Sequence, residues 1–137
     1  MKKLIFALAA FIAFCAAMLP ACSLGDNRGT FCFLSVRLKG NGDGTVTAAA
    51  INEFSLGGEM PVTLYLYRSE TFADDTEEMQ LEDKISSDGL AMTDKIEITC
   101  DVRGGGYFCA KAEYTADGET RYILSDVVHY DASGERL

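Results

Sequence analysis

The chain has 137 residues, with 21 Asp or Glu against 12 Lys or Arg, a formal charge of −9. That length holds one domain with a modest core, and the acidic balance argues against nucleic acid and against electrostatic binding to anionic membranes. With no Trp and a single His, there is little material for a hydrolytic triad, a zinc site or an aromatic sugar cleft.

Lys2 and Lys3 precede an uncharged apolar run over residues 4–19, closed by Pro20 and Ala21. This is the pattern of a secretory signal peptide over 1–21. The run is shorter than the roughly 20 apolar residues of a stable span. The working domain is therefore expected outside the cytoplasm, secreted or lipid-anchored at the cell surface. Loss of Lys2 and Lys3 with the signal takes the formal charge from −9 to −11. Leu19-Pro20-Ala21-Cys22 resembles the lipobox of bacterial lipoproteins, although Pro20 departs from it. The resemblance implies a diacylglycerol on Cys22. Ordinary cleavage nearby, leaving Cys22 as a thiol, stays open as the alternative.

Residues 22–29 are polar and read as a tether. In residues 31–38, Cys32, Leu34, Val36 and Leu38 alternate with other residues, the period-two signal of a strand. Asn41-Gly42-Asp43-Gly44 is turn chemistry, and residues 45–51 form the return strand. Pro61 opens a third strand, with Val62, Leu64 and Leu66 on one face and Thr63, Tyr65 and Tyr67 on the other. Residues 70–83 are acidic and read as a long exposed connection, with a short edge strand over 79–81. Ser86-Ser87-Asp88-Gly89 predicts a turn, and residues 95–100 alternate again. Gly104-Gly105-Gly106 breaks the pattern. Phe108, Ala110, Ala112 and Tyr114 then alternate with Cys109, Lys111 and Glu113. Asp117-Gly118 predicts a hairpin turn before a last strand over 121–130 and a tail over 132–137. No helical period follows the signal. The fold class is all-β, a single antiparallel β-sandwich of about seven strands.

The stretch from Val102 and Arg103 through the three glycines to Tyr107-Phe108-Cys109-Ala110-Lys111-Ala112 resembles the penultimate strand of immunoglobulin-like and fibronectin type III-like sandwiches. The resemblance makes Tyr107 or Phe108 the aromatic corner residue. Asp117-Gly118 and the segment ending Val127-Val128-His129-Tyr130 resemble the last hairpin of small secreted bacterial sandwiches without assigned activity. The likeness spans about residues 30–131. The core Trp and the inter-sheet disulfide of immunoglobulins are missing, and no binding residue carries over. The implied topology puts the end of the Cys100 strand and the start of the Cys109 strand at one pole. Cys100–Cys109 is then the expected bridge, worth about 2–3 kcal/mol by loop closure. Cys32 is left to pair with Cys22, or to remain a buried thiol if Cys22 carries lipid. Zinc fits these cysteines poorly, because close paired ligands are missing.

Ser125, Asp126 and His129 are close in sequence, but on one strand they do not converge, and Asp126 and His129 point to opposite faces. His129 is expected on the strand surface. The acid pairs Asp74-Asp75 and Glu77-Glu78 read as solvated surface, and the 41–45 segment as a turn lacking the remaining ligands of a calcium loop. Tyr65, Tyr67 and Tyr122 form a candidate binding surface, unless Tyr65 and Tyr67 pack beneath the acidic connection. No cofactor and no metal is expected. The function expected is that of a non-catalytic, monomeric exported module for adhesion, binding a protein or glycan at the cell surface. The alternatives are a secreted hydrolase or metal-dependent enzyme, and a lipoprotein that inhibits an envelope enzyme through residues 70–83.

Overall fold

The computed structural model describes residues 32–56, 58–116 and 118–137. The expected signal peptide, the tether and Cys22 lie outside the described residues. β1 (Cys32–Gly40) and β2 (Thr45–Ser55) form the first hairpin, and β5 (Lys95–Asp101) pairs antiparallel with β2 on its other side. These three make one sheet, in the order β1-β2-β5. β3 (Met60–Ser69) lies between β4 (Gln80–Leu90) and β6 (Gly106–Ala116) in a second sheet. The free side of β6 takes β7 (Glu119–Leu124) and then β8 (Val128–Tyr130). The chain is thus an all-β sandwich of two antiparallel sheets.

The alternation in sequence becomes the interior. Val62, Leu64 and Leu66 of β3 and Phe108, Ala110 and Ala112 of β6 face Leu34, Val46, Ala48, Ala50 and Ile98 of the opposite sheet. Small alanines set against Leu64, Leu66 and Phe108 let the layers interdigitate at crystal-like density. Each fully buried Leu or Phe contributes about 1.5–3 kcal/mol relative to exposure. Phe108 meets Tyr130 edge to face, with centroids 5.8 Å apart.

Three expectations need correction. The edge strand foreseen over 79–81 runs eleven residues, through the predicted turn at Ser86-Ser87-Asp88-Gly89. Pairing with β3 satisfies that backbone and outweighs local turn preference. Gly89 lies within the strand, and the nearest atom to a Cβ built there is an oxygen of the movable Glu59 carboxylate. The reversal falls at residues 91–94, with Thr93 at φ 72° and the Asp94 N–H donating to the Ala91 carbonyl.

The last strand is two strands. Between them the Ser125 N–H donates to the Ala110 carbonyl at 2.8 Å, and the Ser125 Oγ accepts from the Ala110 N–H at 2.9 Å. The side chain thus stands in for the ladder where the main chain bends away.

Cys100 and Cys109 are both free thiols. Phe108 and Ala110 point inward, so Cys109 must point out of the second sheet. There it packs with Ala73 and Met79, whereas Cys100 packs against the main interior from the first sheet. A layer of β6 side chains separates the two sulfurs, which excludes disulfide geometry.

Residues 132–137 fold back. The Gly44 N–H donates to the Ser133 carbonyl at 2.6 Å, and the Leu137 N–H to that of His129 at 2.9 Å.

Candidate binding face

The outer face of the second sheet collects the three candidate tyrosines through register. Tyr65 pairs with Lys111, and Lys111 with Leu124; Thr63 pairs with Glu113, and Glu113 with Tyr122. Directly opposed and diagonal neighbours on one sheet face come within reach of each other. The Lys111 ammonium accordingly sits 5.7 Å from the Tyr65 ring centroid and 5.2 Å from that of Tyr122. Its Nζ is 3.1 Å from Glu113 Oε1, and the Tyr65 hydroxyl donates to Glu113 Oε2 at 3.2 Å. Tyr65 and Tyr67 stack with centroids 6.2 Å apart and planes 22° apart.

The electrostatics follow from these contacts. The Glu113 hydrogen bond holds the Lys111 ammonium above its ordinary pKa despite partial burial. Desolvation raises the Tyr65 phenol, and the neighbouring Glu113 charge raises it further. The face therefore presents an ammonium group, paired with Glu113, between the Tyr65 and Tyr122 rings. Each cation–π contact at such a site is worth about 0.5–1 kcal/mol. Tyr122 is 63% exposed and Leu124 44% exposed, so ring and aliphatic surface stand open beside fixed polar atoms.

The tyrosines divide between the two expectations. Tyr67 and Tyr107 pack against the Ala73, Met79 and Cys109 cluster beneath the 70–79 segment. Tyr65 and Tyr122 stay on the open face with Lys111. Asp75 caps the short 3-10 turn Thr76–Glu78, accepting from the Glu77 N–H at 3.0 Å. Asn41-Gly42-Asp43-Gly44 is a self-closed hairpin turn. Asp43 Oδ1 accepts from the Thr45 N–H at 3.1 Å, and Asn41 Nδ2 donates to the Thr45 and Thr47 hydroxyls. Among the described residues no group of three or more His, Cys, Asp and Glu is placed to hold a metal ion.

His129 is half-buried and lies flat on Tyr107, with centroids 4.2 Å apart and planes 12° apart. Tyr107 in turn meets Phe72 edge on at 5.8 Å. The Ser125 hydroxyl, which accepts from Ala110, donates to the Asp126 carbonyl at 2.9 Å. Ser125 and His129 thus have separate surroundings. Of the two corner candidates, Phe108 is an interior ring and Tyr107 an outer-face ring. Burial pushes the Cys100 thiol up to about 11, with the Glu82 charge adding to it. Burial also raises the Cys109 thiol, against a lowering contact from Ser125.

Nothing in the local sequence singles out Lys111 and Glu113. They lie two residues apart on one strand, but their meeting with Tyr65 and Tyr122 depends on cross-strand register.

No protein-family model matches the chain, and no curated protein does. Among solved structures the chain is similar to a DUF3823 family protein from Bacteroides ovatus ATCC 8483, with 16% sequence identity and a TM-score of 0.45. The match covers 74% of this chain and 56% of that one.

Proposed function

We propose that the chain is a non-catalytic exported binding module that engages a protein or glycan at the cell surface through the outer face of its second sheet. The observation that carries this reading is the Tyr65–Lys111–Tyr122 arrangement, a cation held between two rings. Tyrosines with little rotamer freedom, set beside fixed polar atoms, are the residue type that dominates binding energy at protein interfaces. The basic n-region and apolar run over 1–21 support export. Strand order supports an immunoglobulin-like relationship. In the constant-type arrangement strands A, B, E and D face C, F and G, and here the fourth strand has moved to pair with the third. The hydrolase alternative finds little support, since the described residues place no acid in hydrogen-bond contact with the His129 ring. The test is affinity capture from envelope extracts with the native protein and a Tyr65→Ala/Tyr122→Ala double variant. A partner retained at micromolar affinity by the native protein and lost by the double variant supports the proposal. Equal retention by both moves the binding site elsewhere.

A further inference from the structure

β1 begins at Cys32 at one pole, and the segment linking β5 to β6 crosses between the sheets at the other. At that far pole a cleft of about 300 Å³ is lined by Arg68, Arg103, His129, Glu70 and the backbone of Gly104, Gly105 and Gly106. Two arginines converge here in a chain whose charge is strongly negative.

Arg68 is preset. Its Nη2 donates to the Gly105 carbonyl at 2.7 Å and to that of Arg103 at 3.5 Å, and its Nε to Gly105 at 3.3 Å. These bonds use one edge of the guanidinium, which carries five donors in all. The glycines let the main chain close around it. A Cβ on Gly106 would lie 3.1 Å from Arg68 Nε, and one on Gly105 would lie 2.8 Å from the Tyr130 carbonyl. A Cβ on Gly104 would meet nothing within 4 Å, so that wall is open. Arg103 is 70% exposed, and its one described ion pair, to Glu82, is long at 3.7 Å. The Glu82 side chain is only 7% exposed, but at that separation no hydrogen bond ties up the guanidinium, whose donors stay open to a ligand. His129 is fixed by its stack on Tyr107.

We propose that this cleft binds a small organic carboxylate carrying neighbouring hydrogen-bond donors. Planar guanidinium groups match a carboxylate in charge and shape. Glu70 on the same rim accepts from a hydroxyl or ammonium group of the ligand and repels a plain dianion. The volume stands at the low end for small-molecule sites, the size of one sugar ring or one amino acid. The site is separate from the tyrosine face, so each stands or falls alone.

The test is an amide chemical-shift titration of the purified exported protein with D-glucuronate, L-alanine, D-glucose and inorganic phosphate. Saturable shifts at Gly104, Gly105, Gly106 and His129 are expected with glucuronate, L-alanine or both, and not with glucose. Glucuronate alone assigns the source as sugar acids, and L-alanine alone assigns it as free amino acids. Arg103→Gln weakens binding about tenfold or more, the effect of losing one charge-assisted hydrogen bond. Glu70→Gln, on the exposed rim, weakens binding of the same ligand and serves if the arginine variant does not fold. No saturable shift with either carboxylate overturns the proposal. So does phosphate binding alone, or an unchanged affinity in the folded variants.

Discussion

The Asn52 side-chain amide donates to the main-chain carbonyl of Leu90 over 2.9 Å, tying the end of β2 to the end of β4 across the sandwich. Asn52 is fully buried, and its main chain also brackets the reversal after β4. Its N–H donates to the Asp94 carbonyl, and its carbonyl accepts from Thr93. Asn52→Ala leaves the Leu90 carbonyl without that donor and is expected to cost about 1–3 kcal/mol. Asn52→Asp costs more, because one carboxylate oxygen replaces the donor and faces the carbonyl. Urea unfolding of both variants gives the values, and an aspartate variant as stable as the alanine one contradicts this account.

On the outer face, Tyr65→Phe removes the hydroxyl bond to Glu113 and keeps the ring. Its expected cost is at most about 0.5–1 kcal/mol, the low end for a half-exposed bond. The Tyr65 phenol titrates above its ordinary value. With the folded pKa above the unfolded one, its contribution is present below about pH 10 and is lost as pH rises through the folded value. The native protein should therefore lose stability in alkali more steeply than Tyr65→Phe. Tyr122→Ala removes one cation–π contact with Lys111 and is expected to cost about 0.5–1 kcal/mol while removing the partner-binding signal. Parallel alkaline unfolding curves for the native protein and Tyr65→Phe count against the assignment at Tyr65.

The two thiols give a third expectation. Peptide mapping after alkylation should find Cys100 and Cys109 unmodified in the folded protein, modified after unfolding, and never joined. The Cys100 thiol is pushed up to about 11 from an ordinary 9.0. Its protonated form is favoured in the folded state, so its contribution is full below pH 9 and is lost as pH rises towards 11. Cys100→Ala should flatten that alkaline loss. A mass two hydrogens below the thiol form, mapped to a Cys100–Cys109 peptide, contradicts the structure.

What could be seen in advance tracks how local its cause is. Val62, Leu64 and Leu66, and likewise Phe108, Ala110 and Ala112, announce their strands through alternation alone. Ser86-Ser87-Asp88-Gly89 misleads, because turn residues are tolerated wherever a neighbouring strand supplies the ladder. Thr93, which does turn, carries no turn signature. Ser125 interrupts the last strand through one hydroxyl bond to Ala110, invisible without the partner. The cysteine pairing failed on parity. Cys109 alternates with the inward residues Phe108 and Ala110, so strand parity turns its sulfur away from Cys100 although both strands end at one pole. The tyrosine face was half legible, its rings by alternation on β3 and its cation only by register between β3, β6 and β7. The arginine cleft draws on residues 35 positions apart, and no spacing rule reaches that far.

The C-terminal residues give the last expectation. Gly40, at the end of β1, faces Gly134 across the pole. A Cβ on Gly40 would lie 1.9 Å from the Gly134 carbonyl oxygen and 2.8 Å from the Tyr130 ring. The first is a main-chain atom in a tight turn, so relief requires the 132–137 segment to move. Gly40→Ala is therefore expected to cost about 1–3 kcal/mol through overpacking, and to raise amide exchange at Gly44 and Leu137. The same segment is pinned by Asp131, whose carboxylate accepts from the Ser133 hydroxyl and from the Ser133 and Glu135 N–H groups at 2.6–3.0 Å. The Ser133 hydroxyl bond, followed by the Glu135 N–H, holds that carboxyl below its usual value. A lowered folded pKa means that the contribution is present above the ordinary carboxylate range and is lost as pH falls through the folded value. Exchange at Leu137 should therefore rise, relative to the β3 amides, as the solution is taken from neutral to strongly acidic pH. Asp131→Asn should remove that pH dependence, because its amide oxygen accepts the same bonds without titrating. If acid leaves Leu137 as protected as the β3 amides, Asp131 does not hold the segment.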